Sequence, residues 1–177
     1  MKQPLMSSSS PSTTLEEVES DPYQVAQTIA LIALGRRAKS RGELFTLLKK
    51  RGTPEDIANA VLFRLQEQGF VNDREFARYW VESRQRTKKV SRRIIVGELR
   101  SKGIVDEIID EATRDISDDD EFTIALDFAS KKSRSLAKLE NPVAYRRLHG
   151  ALARRGFSGS VISRVLAELG ITRNERA

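Results

Sequence analysis

The 177-residue sequence contains no cysteine and only one histidine, and these two shortages remove several kinds of chemistry. Without cysteine the chain can form neither a disulfide nor a thiolate metal site. His149 has no second ligand or catalytic partner near it in sequence, so we expect a structural or surface role. No apolar run approaches the ~20 residues of a membrane-spanning helix, and the N-terminus lacks the apolar segment of a secretory signal. We therefore predict a cytoplasmic location.

Apolar residues are few, at 39%, and charged residues are many, at 32%. This balance favours helices that each bury one stripe and leave a wide charged face in water, rather than one deep core. The net charge is +6, but Lys2 opposes four carboxylates within residues 1–21, so that segment carries −3 and the remainder +9. A basic body of this kind is a candidate for binding nucleic acid or another polyanion. A basic surface that serves only solubility fits the composition equally well.

Capping signals and apolar spacing predict helices along the chain and no strand. Ser40 stands three residues before Glu43, which is the capping-box spacing. Thr53-Pro54 is typical of a helix start, with Thr53 as N-cap and proline at the first helical position. Elsewhere the apolar residues recur at intervals of three and four rather than two, so the predicted fold class is all-α.

For two of the predicted helices, the sequence also predicts which residues are buried. The segment Val25–Leu34 carries apolar residues on nearly every side, so we expect the whole helix to be buried. Tyr79 and Trp80 lie in another apolar helix, and we expect both in the core rather than on a base-stacking platform.

One apolar pattern occurs three times, around Gly52, Gly103 and Gly156. Each glycine has apolar residues four and eight positions before it and five, nine and thirteen positions after it. These residues are Leu44, Leu48, Ile57, Val61 and Leu65; Ile95, Leu99, Ile108, Ala112 and Ile116; and Leu148, Leu152, Val161, Val165 and Leu169. The pattern describes a helix, a glycine stop and a second helix, and a further helix precedes each pair. We predict three tandem three-helix repeats that form an elongated, curved array.

The predicted boundaries follow from this repeat. Repeat one spans residues 22–71, repeat two 72–117 and repeat three 118–172. The polar, serine-rich residues 1–21 are predicted to be a disordered N-terminal tail, and residues 173–177 a short C-terminal tail.

Basic residues gather at the end of the first helix and across the second helix of each repeat. Lysine or arginine near a helix C-terminus complements the helix dipole, which is the plainer explanation for any single residue. It does not explain a basic run that crosses a loop into a helix start, as residues 87–93 do. We therefore predict a basic stripe that contacts the partner, made of Arg36, Arg37, Lys39, Arg41, Arg84, Arg86, Lys88, Lys89, Arg92, Arg93, Lys102, Arg146, Arg147, Arg154 and Arg155.

The sequence offers no convincing catalytic or metal site. The acidic run Asp118–Glu121 lacks the spaced ligands of a calcium loop, so we interpret it as a helix-capping turn in solvent. There is no glycine-rich phosphate loop, no Ser/His/Asp arrangement and no paired general acid and base. We predict a non-enzymatic protein without a cofactor.

Several motifs, in order, resemble the bacterial RecX family. They are Arg36-x-x-x-Ser40-x-x-Glu43-Leu44, Gln68-Gly69-Phe70-Val71-Asn72-Asp73-x-x-Phe76-Ala77, Gly97-Glu98-Leu99-Arg100-x-Lys102-Gly103-Ile104 and Leu152-Ala153-Arg154-Arg155-Gly156-Phe157-Ser158. The similarity covers roughly Val25 to Leu169. Residues 87–90, Thr-Lys-Lys-Val, stand where the family would lead us to expect a glycine-containing basic turn.

The resemblance implies a regulator of the RecA recombinase. Such a protein lodges in the groove of the RecA–DNA filament, inhibits its extension and restrains recombination and the SOS response. The partners implied are the RecA filament and, through the basic faces, single- or double-stranded DNA, with no membrane and with the chain as a monomer. The alternative is a stand-alone DNA-binding protein, because small three-helix units can act as helix-turn-helix readers.

Overall fold

The computed structural model describes residues 21–173, and within that range the chain is all α, as predicted, with no strand. The predicted tails lie outside the described residues apart from Asp21 and Arg173. The helices are α1 Pro22–Arg36, α2 Arg41–Lys50, α3 Glu55–Glu67, α4 Asp73–Ser83, α5 Arg92–Ser101, α6 Asp106–Thr113, α7 Asp118–Arg134, α8 Asn141–Arg154 and α9 Gly159–Glu168. We call α1–α3 copy one, α4–α6 copy two and α7–α9 copy three.

Each copy buries a hydrophobic core of its own. The core of copy one centres on Leu44, Leu48 and Leu62, which are fully buried. Copy two packs around Ile95 and Leu99, and copy three around Leu148, Leu152 and Val165. These are largely the positions identified by spacing from the three glycines. None of the three cores includes a buried residue of another copy, which confirms the expectation that there is no single deep core.

The glycine stops work as the repeat predicts. Gly52, Gly103 and Gly156 end the second helix of their copies with φ angles of 82°, 74° and 86°. A left-handed residue at this position ends a helix and lets the next amide bond back to the last turn. After Gly52, for example, the backbone N–H of Thr53 donates to the carbonyl of Leu48 at 3.1 Å.

That bond also explains why the predicted start of α3 is wrong. Thr53 was expected to cap α3, but the helix begins at Glu55 with Pro54 at the N-cap position and no side-chain cap. The backbone of Thr53 closes the preceding α2, and Pro54 is extended, with φ −53° and ψ 148°. By contrast, Ser40 and Glu43 form the complete capping box predicted at the start of α2.

The burial expected for α1 is also wrong. Its buried residues are Ala26, Ala30 and Ala33, whereas Val25 is 43% and Ile32 is 57% exposed. Alanine has the smallest side chain with a Cβ, so it allows close approach of α1 to α3. The repeat uses the same device in α4 and α7, where Ala77, Ala125 and Ala129 are buried.

Between α4 and α5 the chain makes a π-helical turn over Arg84–Lys88 and then passes through Lys89. Lys89 has φ 51° and ψ 57°, and within residues 21–173 it is the one residue other than glycine with a positive φ. The conformation that a glycine would normally supply is therefore retained here with a lysine.

Candidate partner-binding surface

Copies one and two meet at a small polar joint, and some residues of the predicted basic stripe take part in its contacts. The Oγ of Ser40 donates to the carbonyl of Lys102 at 2.6 Å, and the backbone N–H of Arg41 donates to the Asp73 carboxylate at 2.8 Å. Gly42 packs directly on the Lys102–Gly103 backbone, because a Cβ on Gly42 would lie 2.6 Å from the carbonyl oxygen of Lys102. This is joint one: the N-terminus of α2 sits on the C-terminus of α5.

Copies two and three repeat the arrangement. The backbone N–H of Ser91 donates to the carbonyl of Arg155 at 2.9 Å, and the backbone N–H of Arg92 donates to the Glu121 carboxylate at 2.6 Å. Gly156 leaves the space that Ser91 Oγ and the Ile94 side chain fill, since its Cβ would lie 2.4 Å and 2.5 Å from them. This is joint two: the N-terminus of α5 sits on the C-terminus of α8.

In both joints a cation covers an aromatic ring. The Lys102 ammonium lies 4.1 Å from the centre of the Trp80 ring, and the Arg155 guanidinium lies 3.6 Å from the centre of Phe128. Cation–π contacts of this kind contribute about 0.5–2 kcal/mol. Burial lowers the pKa of Arg155, and its Nε is buried without a hydrogen-bond partner among the described atoms. Each of these cation–ring contacts lies within one copy. Lys102 also reaches across joint one through its ion pair with Glu43, whereas Arg155 contributes its backbone carbonyl to joint two.

Glu43 is the electrostatic centre of joint one. Its carboxylate lies 2.8 Å from the Lys102 ammonium and 3.1 Å from the Arg37 guanidinium, and it accepts the Ser40 backbone N–H. Burial alone would raise its pKa, but hydrogen bonds from Arg37, Lys102 and Ser40 outweigh burial and lower the pKa of Glu43 to about 2. Burial raises the pKa of the neighbouring Asp73.

The structure thus divides the predicted basic stripe into two sets. One set has its side chain in a joint or within its own copy: Lys102 and Arg155 as above, Lys89 on Asp127 at 3.1 Å, Arg41 on Asn59 at 2.7 Å, and Arg84 on Glu98 at 2.5 Å. Lys39 is half-buried beside a groove between copies one and two, and Arg37 pairs with Glu43. The other set is exposed: Arg36, Arg86, Lys88, Arg92, Arg93, Arg146, Arg147 and Arg154.

The exposed set is the part available to a partner, and every copy contributes to it. Within residues 21–173, an ion pair is formed by only one of these eight side chains, Arg86, with Glu82 at 3.8 Å. Arg36 lies at the end of α1, Arg92 and Arg93 open α5, and Arg146 and Arg147 lie on α8.

Exposed aromatic rings are a feature that the sequence reasoning missed. Tyr79, expected in the core, is 68% exposed, and Phe63 and Phe70 are 63% and 57% exposed. Trp80 is half-buried and stacks on Phe76 with ring centres 5.7 Å apart. In α4 the buried face is set by Phe76, Ala77 and Val81, which places Tyr79 on the opposite face. Counting that face at 3.6 residues per turn would have predicted the exposure.

A cleft of about 590 Å³ lies between copies two and three, beside joint two. Exposed Arg92, Arg93 and Arg100 form one wall along α5, and Ile116 and Phe157 contribute apolar surface. The cleft brings together two predicted stripe residues, Arg92 and Arg93, with Arg100, which was outside the predicted set.

The acidic run caps a helix, as predicted. Ser117 and Asp120 form a capping box at the start of α7, and the carboxylates of residues 118–121 occupy its first turn. Within the described part of the chain, no group of three histidine, cysteine or acidic residues is placed to hold a metal ion. His149 is exposed and stacks on Tyr145. No helix between residues 21 and 173 is long and apolar enough to cross a bilayer.

These features define a class of protein: a tandem array of three-helix domains, joined by polar contacts and displaying cations from every domain. Models of the RecX family match the chain in three successive stretches, as the first three-helix domain over residues 26–65, the second over 72–112 and the third over 118–166. The chain belongs to the RecX family, as its motifs predicted.

Individual RecX proteins are similar to the chain over most of its length. The chain is 40% identical to the regulatory protein RecX of Mycolicibacterium vanbaalenii, over 98% of this chain and 97% of the relative. It is 37% identical to the regulatory protein RecX of Streptomyces coelicolor, over 84% of this chain and 79% of the relative. The crystal structure of RecX from Lactobacillus salivarius shares the fold, with a TM-score of 0.72 and 21% identity over 85% of this chain and 98% of that one.

Proposed function

We propose that this chain is a non-enzymatic, cytoplasmic regulator that binds the RecA recombinase filament in its groove, near DNA, and inhibits filament extension. In this way it restrains recombination and the SOS response. The observation that carries the proposal is the exposed cation set, which recurs in all three copies of a chain that belongs to the RecX family.

The separation of joint cations from exposed cations supports this function. The hydrogen bonds of the two joints fix the spacing of the copies, so the exposed cations of different copies keep defined positions along the array. A filament presents phosphates and acidic side chains at regular intervals, and a rigid array of cations can contact several of them at once. The joints thus fix the positions of the exposed cations, and the side chains of those cations remain available to a partner.

The direct test measures the single-stranded-DNA-dependent ATPase activity and the strand exchange of RecA with purified chain added. We expect both activities to fall when the chain is present in amounts stoichiometric with RecA in the filament. Unchanged ATPase and strand exchange at that ratio would overturn the proposal.

A charge reversal localises the contact. Arg93→Glu places a negative charge on an exposed side chain, so we expect unchanged helicity by circular dichroism and weaker inhibition of RecA. Lys138→Glu reverses an exposed cation outside the predicted stripe and serves as the matched control. Equal inhibition by the two variants would mean that the predicted stripe is not the contact surface.

The second candidate, a stand-alone DNA-binding protein, is favoured by the same exposed cations. It predicts tight binding to DNA without RecA, with an affinity that falls steeply as salt rises, by a logarithmic slope of about 0.9 for each duplex phosphate contacted. A titration of DNA with the chain alone at two salt concentrations separates the candidates. The filament regulator requires RecA for its effect, whereas the stand-alone binder does not.

A further inference from the structure

The cleft between copies two and three has walls of different chemistry. Along α5 it presents Arg93 and Arg100, which are seven residues apart and therefore about 10 Å apart along the helix axis. The Arg93 side chain makes no ion pair within residues 21–173, whereas Arg100 pairs with Asp106 at 2.8 Å. Two guanidinium groups thus flank the cleft along its length.

The floor between them is apolar and open. Val96, Ile116 and Phe157 contribute apolar side chains, and Gly97 contributes none. A Cβ added to Gly97 would meet no atom within 4 Å, so the middle of the α5 wall is unfilled space. The cleft therefore combines apolar side chains with cations along its α5 wall.

The opposite wall is acidic. Asp118 is exposed there and makes no ion pair among the described residues. The Glu121 carboxylate accepts the backbone N–H of Arg92 and so belongs to joint two. An acidic side chain offers these carboxylates no donor, whereas a base can donate to a carboxylate from its exocyclic amino group.

We propose that this cleft holds one nucleotide of a single-stranded polynucleotide, with its base on the apolar floor and its flanking phosphates at Arg93 and Arg100. A single strand can turn a base out into a pocket, whereas the bases of an intact duplex stay stacked and cannot enter. Asp118 favours bases that carry an amino group, such as cytosine, over thymine, whose one donor, N3–H, is flanked by two carbonyl oxygens. The inference rests on the proposed function in that DNA is the polyanion beside the filament.

The test measures binding of short single-stranded oligonucleotides to the full chain without RecA. We expect oligodeoxycytidylate to bind about fivefold more tightly than oligothymidylate, because the amino group of cytosine can donate to Asp118, whereas the single N3–H of thymine lies between two carbonyl oxygens that the carboxylate repels. Gly97→Phe fills the cleft from its α5 wall, so we expect oligodeoxycytidylate binding to weaken about tenfold and the preference for cytosine to disappear. Gly35→Phe is the matched control, since Gly35 also faces open space but lies on α1 in copy one.

Further variants keep the result decisive. Arg93→Gln should weaken binding of both oligonucleotides, and Asp118→Ala should abolish only the preference for cytosine. Equal binding by the Gly97→Phe and Gly35→Phe variants, or displacement of the oligonucleotide by oligoglutamate at equal charge, would overturn the proposal. If binding fails while the chain still inhibits the RecA ATPase, the cleft assignment is wrong and the proposed function stands.

Discussion

At the scale of single residues, Lys89 adopts a conformation that L-residues rarely adopt. Its φ of 51° ends the π-helical turn before α5, at the place where the family resemblance led us to expect a glycine. A left-handed conformation costs a residue with a Cβ about 1 kcal/mol relative to glycine. Lys89 also contacts Asp127 across joint two at 3.1 Å, but that pair is partly exposed and contributes little.

Two substitutions of Lys89 separate the conformational cost from the ion pair. Lys89→Ala and Lys89→Gly both remove the contact with Asp127, and only glycine relieves the strained backbone. We expect the glycine variant to exceed the alanine variant by about 1 kcal/mol in free energy of unfolding, measured in urea. Equal stabilities would mean that the turn relaxes to a negative φ in solution.

Glu43 makes the stability of joint one depend on pH. Its pKa in the folded chain is about 2, below the ordinary value of 4.5. The ionised carboxylate therefore stabilises the fold fully above pH 4.5, and this contribution is lost as the pH falls toward 2. Asp73, whose pKa burial raises, has the opposite sign and gains relative stability on protonation.

The variant Glu43→Gln isolates this effect. We expect the difference in free energy of unfolding between wild type and variant to be greatest above about pH 5 and to shrink steadily between pH 4.5 and 2. Asp73 is present in both proteins, so its contribution largely cancels. Glu75→Gln is the matched control, because Glu75 is exposed at the same third position of its helix. A difference that stays constant with pH would contradict the role of Glu43.

At the scale of helices, the sequence predicted where most elements lie but less well which face each helix buries. Spacing from three glycines identified buried residues in the second and third helices of the copies, such as Leu44, Ile95 and Leu148, because a one-sided core requires apolar residues every three or four positions. It did not identify the buried residues of the first helix of each copy. In α1 the prediction failed since hydrophobicity was taken to mean burial, whereas packing against α3 selects small side chains such as Ala30. The large residues Val25 and Ile32 are left outside.

The joints were not predictable from the spacing of apolar residues. They consist of backbone groups, glycine contacts and polar side chains such as Ser40 and Glu121, and the periodicity of apolar residues records none of these. Gly42 and Gly103 approach so closely that a Cβ on Gly103 would lie 3.0 Å from the Cα of Gly42. The register of one copy on the next therefore depends on two residues without side chains.

Substitution of Gly42 tests that dependence. In Gly42→Ala the new methyl group meets the backbone at Lys102 and Gly103, which cannot move aside as a side chain can, so joint one must open. We expect a loss of about 1–3 kcal/mol in free energy of unfolding. Gly35→Ala, also in a helix but facing open space, should instead gain about 0.5–1 kcal/mol. Changes of the same sign would contradict the close packing at joint one.

At the scale of the whole molecule, the ends of the array differ from its joints. Copy three has Glu140 rather than a serine at the N-cap of α8 and no side-chain cap there. At copy one, Gly52 has no atom within 4 Å of a Cβ position, because no further copy covers it. Within residues 21–173 the serine-on-carbonyl contacts between copies therefore occur only at the two joints.

The sequence predicted that a basic surface exists but not which cations are exposed on it. Net charge and clustering indicated a basic stripe, but every cation looks alike in the sequence. Only the structure separates Lys102, whose ammonium lies between Glu43 and Trp80, from Arg146 and Arg147, which are exposed on α8. The difference arises from contacts between residues far apart in the chain, such as the 59 positions between Glu43 and Lys102.

Removal of cations from the two sets should therefore have different effects. Loss of a joint cation should lower stability, whereas loss of exposed cations should weaken inhibition of RecA. Lys102→Ala leaves the carboxylate of Glu43 with one cation fewer in a half-buried site, so we expect a loss of about 1–3 kcal/mol in free energy of unfolding. The double variant Arg146→Ala/Arg147→Ala removes exposed side chains and should change that free energy by less than about 0.5 kcal/mol. In the RecA ATPase assay, below the melting temperature of either variant, the double variant should be the weaker inhibitor. Two outcomes would contradict the division into joint cations and exposed cations. One is a double variant of Arg146 and Arg147 that fails to fold. The other is a Lys102 variant that keeps full stability but no longer inhibits RecA.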